Sequence, residues 1–281
     1  MSRPQPHTRP QTLTVAGPKV HWLSVCTMAF LVVFIAAIVA LIVVDLTYKD
    51  FSLKTVWTLL GSRDVRAAIR LSAVTSSITL LLVILFAAPV GYALSRYRFP
   101  GRSIADTLVD LPIVMPPVVL GVSLLIVFST APGKWLEHMG FDPHSAKGIV
   151  LCQFLVSASY AIRASKSAFD GVDRSLENVA LTLGCTHGQA FWRVALPLAK
   201  NGLVAGCIMA WARAVGVFGP LMVFVGSMRL KTEVMPTTIY LELTIGRIEV
   251  ALAVAMMMLA AAGVALVVIH RLASGERWWG R

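Results

Sequence analysis

Leu176-Glu-Asn-Val-Ala-Leu-Thr-Leu-Gly-Cys-Thr-His-Gly-Gln-Ala-Phe-Trp-Arg-Val-Ala-Leu-Pro197 lies in a polar stretch of a chain that is otherwise mostly apolar. Leu176, Val179, Ala180 and Leu183 recur at i, i+3, i+4 and i+7, which puts them on one face of a helix of about two turns. Ser175 is placed to cap its start, and Glu177 in the first turn suits the positive end of the helix dipole. Gly184 follows the last apolar residue, where a left-handed residue commonly closes a helix. Thr186 and Gln189 have capping-box spacing and open a second short helix, with Ala190, Phe191, Val194 and Ala195 sharing a face. Pro197 ends that helix or starts the next span. A two-turn helix is unstable alone in water, so its apolar face rests either on its own bundle or in a partner's groove. Periodicity does not choose between the two.

Outward from this stretch the chain becomes apolar. It has 281 residues, 57% of them hydrophobic and 14% charged, against about 25% charged in a soluble domain. Apolar runs cover Trp22 to Val44, Leu71 to Leu94, Ile104 to Phe128, Gly148 to Ile162, Gly202 to Phe224 and Val250 to Ile269. At about 20 residues per crossing they predict an all-α membrane protein with about six transmembrane helices, and no room for a large soluble domain. The first run exceeds the ~7–15-residue core of a signal peptide and reads as a retained span. The expected layout is a tail over 1–21, a membrane domain over 22–271 with a polar loop at 163–200, and a second tail over 272–281. Ser72, Thr75, Ser76, Ser77 and Thr79 suit close helix contact in the second run. Pro112, Pro116 and Pro117 interrupt the third, which a bilayer tolerates only where neighbours or a polar cavity satisfy the freed backbone.

The net charge of +11 comes from Lys and Arg in short segments between the runs rather than on one face. They read as topology signals rather than as a nucleic-acid surface. Their excess on the tails and on the loops after the second and fourth runs predicts both termini, and the 163–200 loop, in the cytoplasm. Cys26, Cys152, Cys185 and Cys207 are far apart with no CxxC spacing, which favours buried thiols over zinc or disulfides. Gly133-Lys134 runs into Trp135 and lacks the upstream Gly of a phosphate loop. HExxH, GxSxG and clustered carboxylates do not occur either. The reading is a non-catalytic chain without cofactor or metal, powered by a partner subunit or an ion gradient. A gradient-driven secondary transporter is the more distant alternative, because repeated halves with broken helices are not apparent.

A charge inside a span costs about 2.5–3.5 kcal/mol on insertion scales, so Asp106, Asp110 and Arg213 need partners or water. Asp106 is near enough to a span end to reach water. Asp110 and Arg213 fall on parallel spans about five residues apart in depth, or roughly 7–8 Å. The leading expectation is a mutual ion pair, with lining of a solute path and snorkelling as the alternatives. Such a pair would leave the path apolar, with Val217 and Phe218 suited to a hydrophobic gate.

The quoted stretch resembles the EAA loop of ATP-binding cassette (ABC) importer permeases: Glu-Ala-Ala, three residues, Gly, nine residues, then apolar-x-Leu-Pro. Ala180, Gly184, Val194, Leu196 and Pro197 match at the family spacing, while Asn178 and Val179 stand at the Glu and the first Ala, with Glu177 one position early. Arg96-Tyr-Arg-Phe-Pro-Gly-Arg102, Asp110-Leu-Pro-Ile-Val-Met-Pro-Pro117 and Ala212-Arg-Ala-Val-Gly-Val-Phe-Gly219 look like the molybdate, tungstate and sulfate branch, whose members commonly have Glu where this chain has Val217. The resemblance implies the permease fold and ATP-driven, binding-protein-dependent import of an oxyanion, with thiamine, ferric iron and polyamine as competing solutes. It implies three kinds of protein partner: two ATPase subunits, a second permease copy (identical or a related chain) and an extracytoplasmic solute-binding protein. The ATPase-coupling residues it marks are Glu177, Asn178, Val179, Ala180, Leu183, Gly184 and Pro197. The residues of the path or its support are Asp110, Pro116, Arg213, Val217 and Phe218.

Overall fold

A computed structural model describes residues 22–47 and 53–274, and its elements there are helices joined by turns. The expected tail over 1–21, and the C-terminal tail beyond Ser274, lie outside the described residues. Helix α1, Trp22–Thr47, belongs to a unit of its own, Met1–Phe51. Its Val25–Asp45 stretch has a mean hydropathy of 3.1 and carries apolar side chains all round, which suits a helix surrounded by lipid.

The second unit begins with α2 (Leu53–Gly61) and α3 (Arg63–Arg96). Ser62 caps α3 by accepting from the Val65 amide. The third apolar run, expected as one span, is two helices, α4 (Arg102–Val114) and α5 (Pro117–Ser129), bent by 111°. The break falls at Met115-Pro116, where Pro116 and Pro117 offer no amide hydrogen to continue the ladder. Helix α6 (Ala131–His138) leads to α7 (Ala146–Asp170), which runs eight residues past the expected end at Ile162. After α8 (Arg174–Thr182), α9 (His187–Ala190) passes through a π-turn at Phe191–Ala195 into α10 (Leu196–Val215). The predicted second short helix is therefore the start of a continuous His187–Val215 helix. The fifth run does not stay helical to Phe224: Gly216 to Phe218 break it, the chain is helical again at Gly219, and a π-turn covers Leu221–Val225. Then come α11 (Met235–Thr244) and α12 (Ile248–Ser274).

Among the described residues four helices are long and apolar enough to cross a membrane, five if the bent α4–α5 pair is one crossing. Helix α12 adds a shorter apolar stretch, Ile248–Val264. The centre of the second unit is α7, packed between α3 and α10. Small residues set these distances: a Cβ on Gly206 of α10 would lie 2.6 Å from that of Ala164, so only glycine permits this approach. Thr79 donates to Gln153 Oε1 at 3.0 Å across α3 and α7, and the Met235 amide donates to Ser72 Oγ at 2.8 Å. The largest core cluster joins α5, α7 and the 217–225 segment through Leu120, Ile149, Val156, Leu221 and Phe224.

Candidate functional site

The segment after α7 is built from local bonds. The α8 cap is Asp173, not the expected Ser175: its carboxylate accepts from the Ser175 amide at 2.9 Å. That bond holds the Asp173 carboxyl below its ordinary value of 3.8. Aspartate two residues earlier reaches the free amides that a serine inside the first turn cannot. At the other end Gly184 has φ +90, its amide donates to Leu181 O, and the Cys185 amide donates to Ala180 O, each at 3.0 Å. This is a Schellman closure, as expected at that glycine. A Cβ on Gly184 would meet nothing within 4 Å, so its requirement is conformational rather than steric. Thr186 and Gln189 form the predicted capping box, at 2.9 and 3.3 Å. Pro197 sits in the first turn of α10 and cannot donate to the carbonyl four residues back, and the helix absorbs this in the π-turn, where the Leu196 amide donates to Phe191 O.

The two faces of α8 differ from the simple periodic reading. Ala180 is buried, whereas Leu176, Val179 and Leu183 are 47%, 55% and 80% exposed. Part of the apolar stripe therefore packs inward and the larger part is left uncovered. Asn178 is exposed beside it. Glu177, expected at the partner surface, is turned inward and buried. Its Oε1 accepts from Arg96 Nε and lies 2.7 Å from Arg96 Nη2, while Oε2 accepts from the Tyr92 hydroxyl at 2.7 Å. Arg96 Nη2 also donates to Val172 O at 2.9 Å, and Ser95 Oγ donates to Asp170 Oδ1 at 2.6 Å. The Tyr92 ring packs edge-on against Phe169 and Phe191, 5.2 and 4.7 Å between centroids. Together these contacts clasp α8 to the ends of α3 and α7. Sequence reading missed Tyr92 and Arg96, whose signal was a polar Tyr and Arg in the last turn of an apolar run.

The charges within the membrane pair differently from the expectation. Asp110 of α4 takes a bidentate contact from Arg163 of α7, through Nε and Nη2. Asp106, one turn earlier, binds Lys166 Nζ at 2.6 and 2.9 Å and lies 3.7 Å from Arg163. The expected Asp110–Arg213 pair is thus replaced by Asp110–Arg163, because α7 continues helical past Ile162 and carries Arg163 alongside α4. Arg213, in the last turn of α10, has its guanidinium 5.6 Å over the Tyr160 ring. It lines a cavity of about 300 Å³ with Pro117, Val118, Val156 and the 216–220 segment. Val217 is buried in the core cluster, and Phe218 is half-buried against Tyr240, 5.3 Å between centroids. Pro116 caps α5 at the break. The cavity thus brings together Arg213, Val217, Phe218 and the start of α5, while Asp110 belongs to the α4–α7 ladder.

Residues 84–275 match the family described as binding-protein-dependent transport system inner membrane component. The molybdate/tungstate transport system permease protein WtpB of Thermococcus kodakarensis is 41% identical over 156 residues, 56% of this chain. That stretch spans only 59% of the Thermococcus protein's own length. The molybdenum transport system permease protein ModB of Mycobacterium tuberculosis is 34% identical over 216 residues, covering 75% of this chain and 79% of that protein. A solved bacterial ABC transporter involved in the import of the acidic polysaccharide alginate shares the fold, with a TM-score of 0.71 at 19% identity, covering 92% of this chain and 96% of that one.

Proposed function

Since the chain belongs to the family of inner-membrane components of binding-protein-dependent transport systems, we propose that it is the permease subunit of an ATP-driven importer for a tetrahedral oxyanion, molybdate or tungstate before sulfate. The observation that carries the coupling part is α8, an exposed apolar stripe of Leu176, Val179 and Leu183 fixed to the transmembrane core by a buried ion pair. A two-turn helix held this firmly while leaving large apolar side chains in water is a knob for a partner's groove. The partner is an ATP-binding cassette subunit, two per complex, and α8 meets it in the cytoplasm. Both termini lie on that side. Asn178, Val179, Leu183 and the Gly184 turn touch the ATPase, whereas Glu177, Ala180 and Pro197 position the helix from behind.

A second copy of the permease, or a related chain, completes the path, and an extracytoplasmic binding protein delivers the solute. Closure of the ATPase pair pulls on α8, and through the Arg96–Glu177 clasp on α3 and α7, biasing a two-state bundle. The α4–α5 break at Pro116, with Val217 and Phe218 across the cavity from it, forms the constriction. The solute assignment is supported by the molybdate/tungstate and molybdenum transport permeases among the relatives. The test is the complete complex in proteoliposomes with its cognate binding protein and radiolabelled solutes. Uptake and binding-protein-stimulated ATP hydrolysis should follow molybdate and tungstate. Stimulation by thiamine, ferric iron or a polyamine instead would refute the solute class, and failure of any ATPase subunit to co-purify would refute the permease role.

A further inference from the structure

Arg213 has lost the partner that local sequence reasoning gave it. Arg163 occupies both oxygens of Asp110, and among the described residues no carboxylate lies within ion-pair distance of Arg213. The residue is exposed although it sits within a helix long and apolar enough to cross a membrane. Cations in such helices almost always face the bundle interior or a water-filled cavity. The cavity it lines holds no acidic side chain, and its other walls are Pro117, Val118, Val156 and the 216–220 segment.

Resting on the importer reading above, we propose that Arg213 is the residue that contacts the oxyanion in transit and sets the sign of charge the path accepts. The guanidinium is a planar fork of donors that matches two oxygens of a tetrahedral anion, and it stays protonated at every working pH. A fixed cation facing a path with no counter-charge raises the local concentration of anions and opposes cations. Ferric iron, polyamines and the thiamine cation are therefore disfavoured at this point, which separates the oxyanions from the competing solutes on physical grounds. A dianion must also leave. Exposure keeps the field of Arg213 screened, the Tyr160 ring 5.6 Å away already shares the guanidinium, and a single positive charge does not neutralise a dianion. Such a contact is attractive enough for entry and weak enough for release.

The experiment compares wild type, Arg213→Gln and Arg213→Lys in the complete complex, reconstituted with its binding protein, using radiolabelled molybdate and sulfate. Loss of one charge-assisted contact should lower uptake of both anions by about tenfold in Arg213→Gln. Arg213→Lys should recover part of it, and both variants should assemble with the ATPase and unfold at the wild-type temperature. If wild type transports oxyanions and Arg213→Gln does so equally well, the inference fails while the importer reading stands. If Arg213→Gln loses thermal stability and assembly along with uptake, and Lys rescues none of them, Arg213 is a structural residue and the inference again fails. A wild-type complex that takes up no oxyanion overturns the solute reading and this inference with it.

Discussion

Removing the Glu177 carboxylate tests whether α8 is held from within or from its partner. In Glu177→Ala, Arg96 loses its counter-charge at a site where the two side chains are 8% and 10% exposed, and the Tyr92 hydroxyl loses its acceptor. Removing one member of a buried pair costs about 3–5 kcal/mol. Arg96 keeps its bond to Val172 O and lies at a helix end, which places the expected loss near the lower bound, about 3 kcal/mol. Arg96→Met should cost about as much, because it strands the carboxylate instead. The Arg96→Met/Glu177→Ala double change removes both charges and should be no worse than either single change, far short of the ~6 kcal/mol that addition gives. Chemical unfolding of the detergent-solubilised protein gives the cycle, and co-purification with the ATPase gives the coupling. Should Glu177→Ala unfold like wild type and merely fail to retain the ATPase, then Glu177 faces the partner and the inward clasp is wrong.

Three further outcomes are expected. Gly184→Val should cost about 1–2 kcal/mol through the left-handed backbone alone and lower uptake while insertion into the membrane stays intact; wild-type uptake would remove the turn from the coupling role. The double-mutant cycle of Asp110→Ala with Arg163→Ala should show coupling of up to about 1 kcal/mol, since both side chains are about a third exposed and solvent screens the pair, whereas Asp110→Ala with Arg213→Ala should be additive within ~0.5 kcal/mol; the reverse pattern would restore the Asp110–Arg213 pair. Burial pushes the Glu233 carboxyl, in the turn before α11, above its ordinary value of 4.5. The native state then holds that proton more tightly than the unfolded chain, a contribution present at low pH and lost as pH rises through the native value. Glu233→Gln should therefore raise the unfolding temperature at about pH 7.5 and by less at about pH 5, and a gain independent of pH would refute this account.

The elements that sequence alone determined are those made by neighbours along the chain. The α8 helix, its closure at Gly184 and the Thr186–Gln189 box depend on bonds between near neighbours, and each lies where spacing put it except the α8 cap, which is Asp173 rather than Ser175. The apolar runs likewise announce a membrane protein, because a stretch that cannot be hydrated must be covered by lipid or by other helices. Even the proline cluster announced trouble at positions 112–117, though not its 111° bend. A missing amide says where a ladder breaks, while the packing around it says how far the chain turns.

Pairing of charges was decided by tertiary structure. Glu177 and Arg96 are 81 residues apart, and whether α8 turns its carboxylate inward or outward depends on which face the α3 and α7 ends leave open. Periodicity put Leu176, Val179, Ala180 and Leu183 on one stripe, but it could not say that the bundle would cover only Ala180. Asp110 was expected to meet Arg213, and it meets Arg163 instead because α7 remained helical for two more turns and packed against α4. Local interactions fix where helices begin and end. Rotation about the helix axis and depth relative to neighbours are set by nonlocal packing, and those two variables determine which charge meets which.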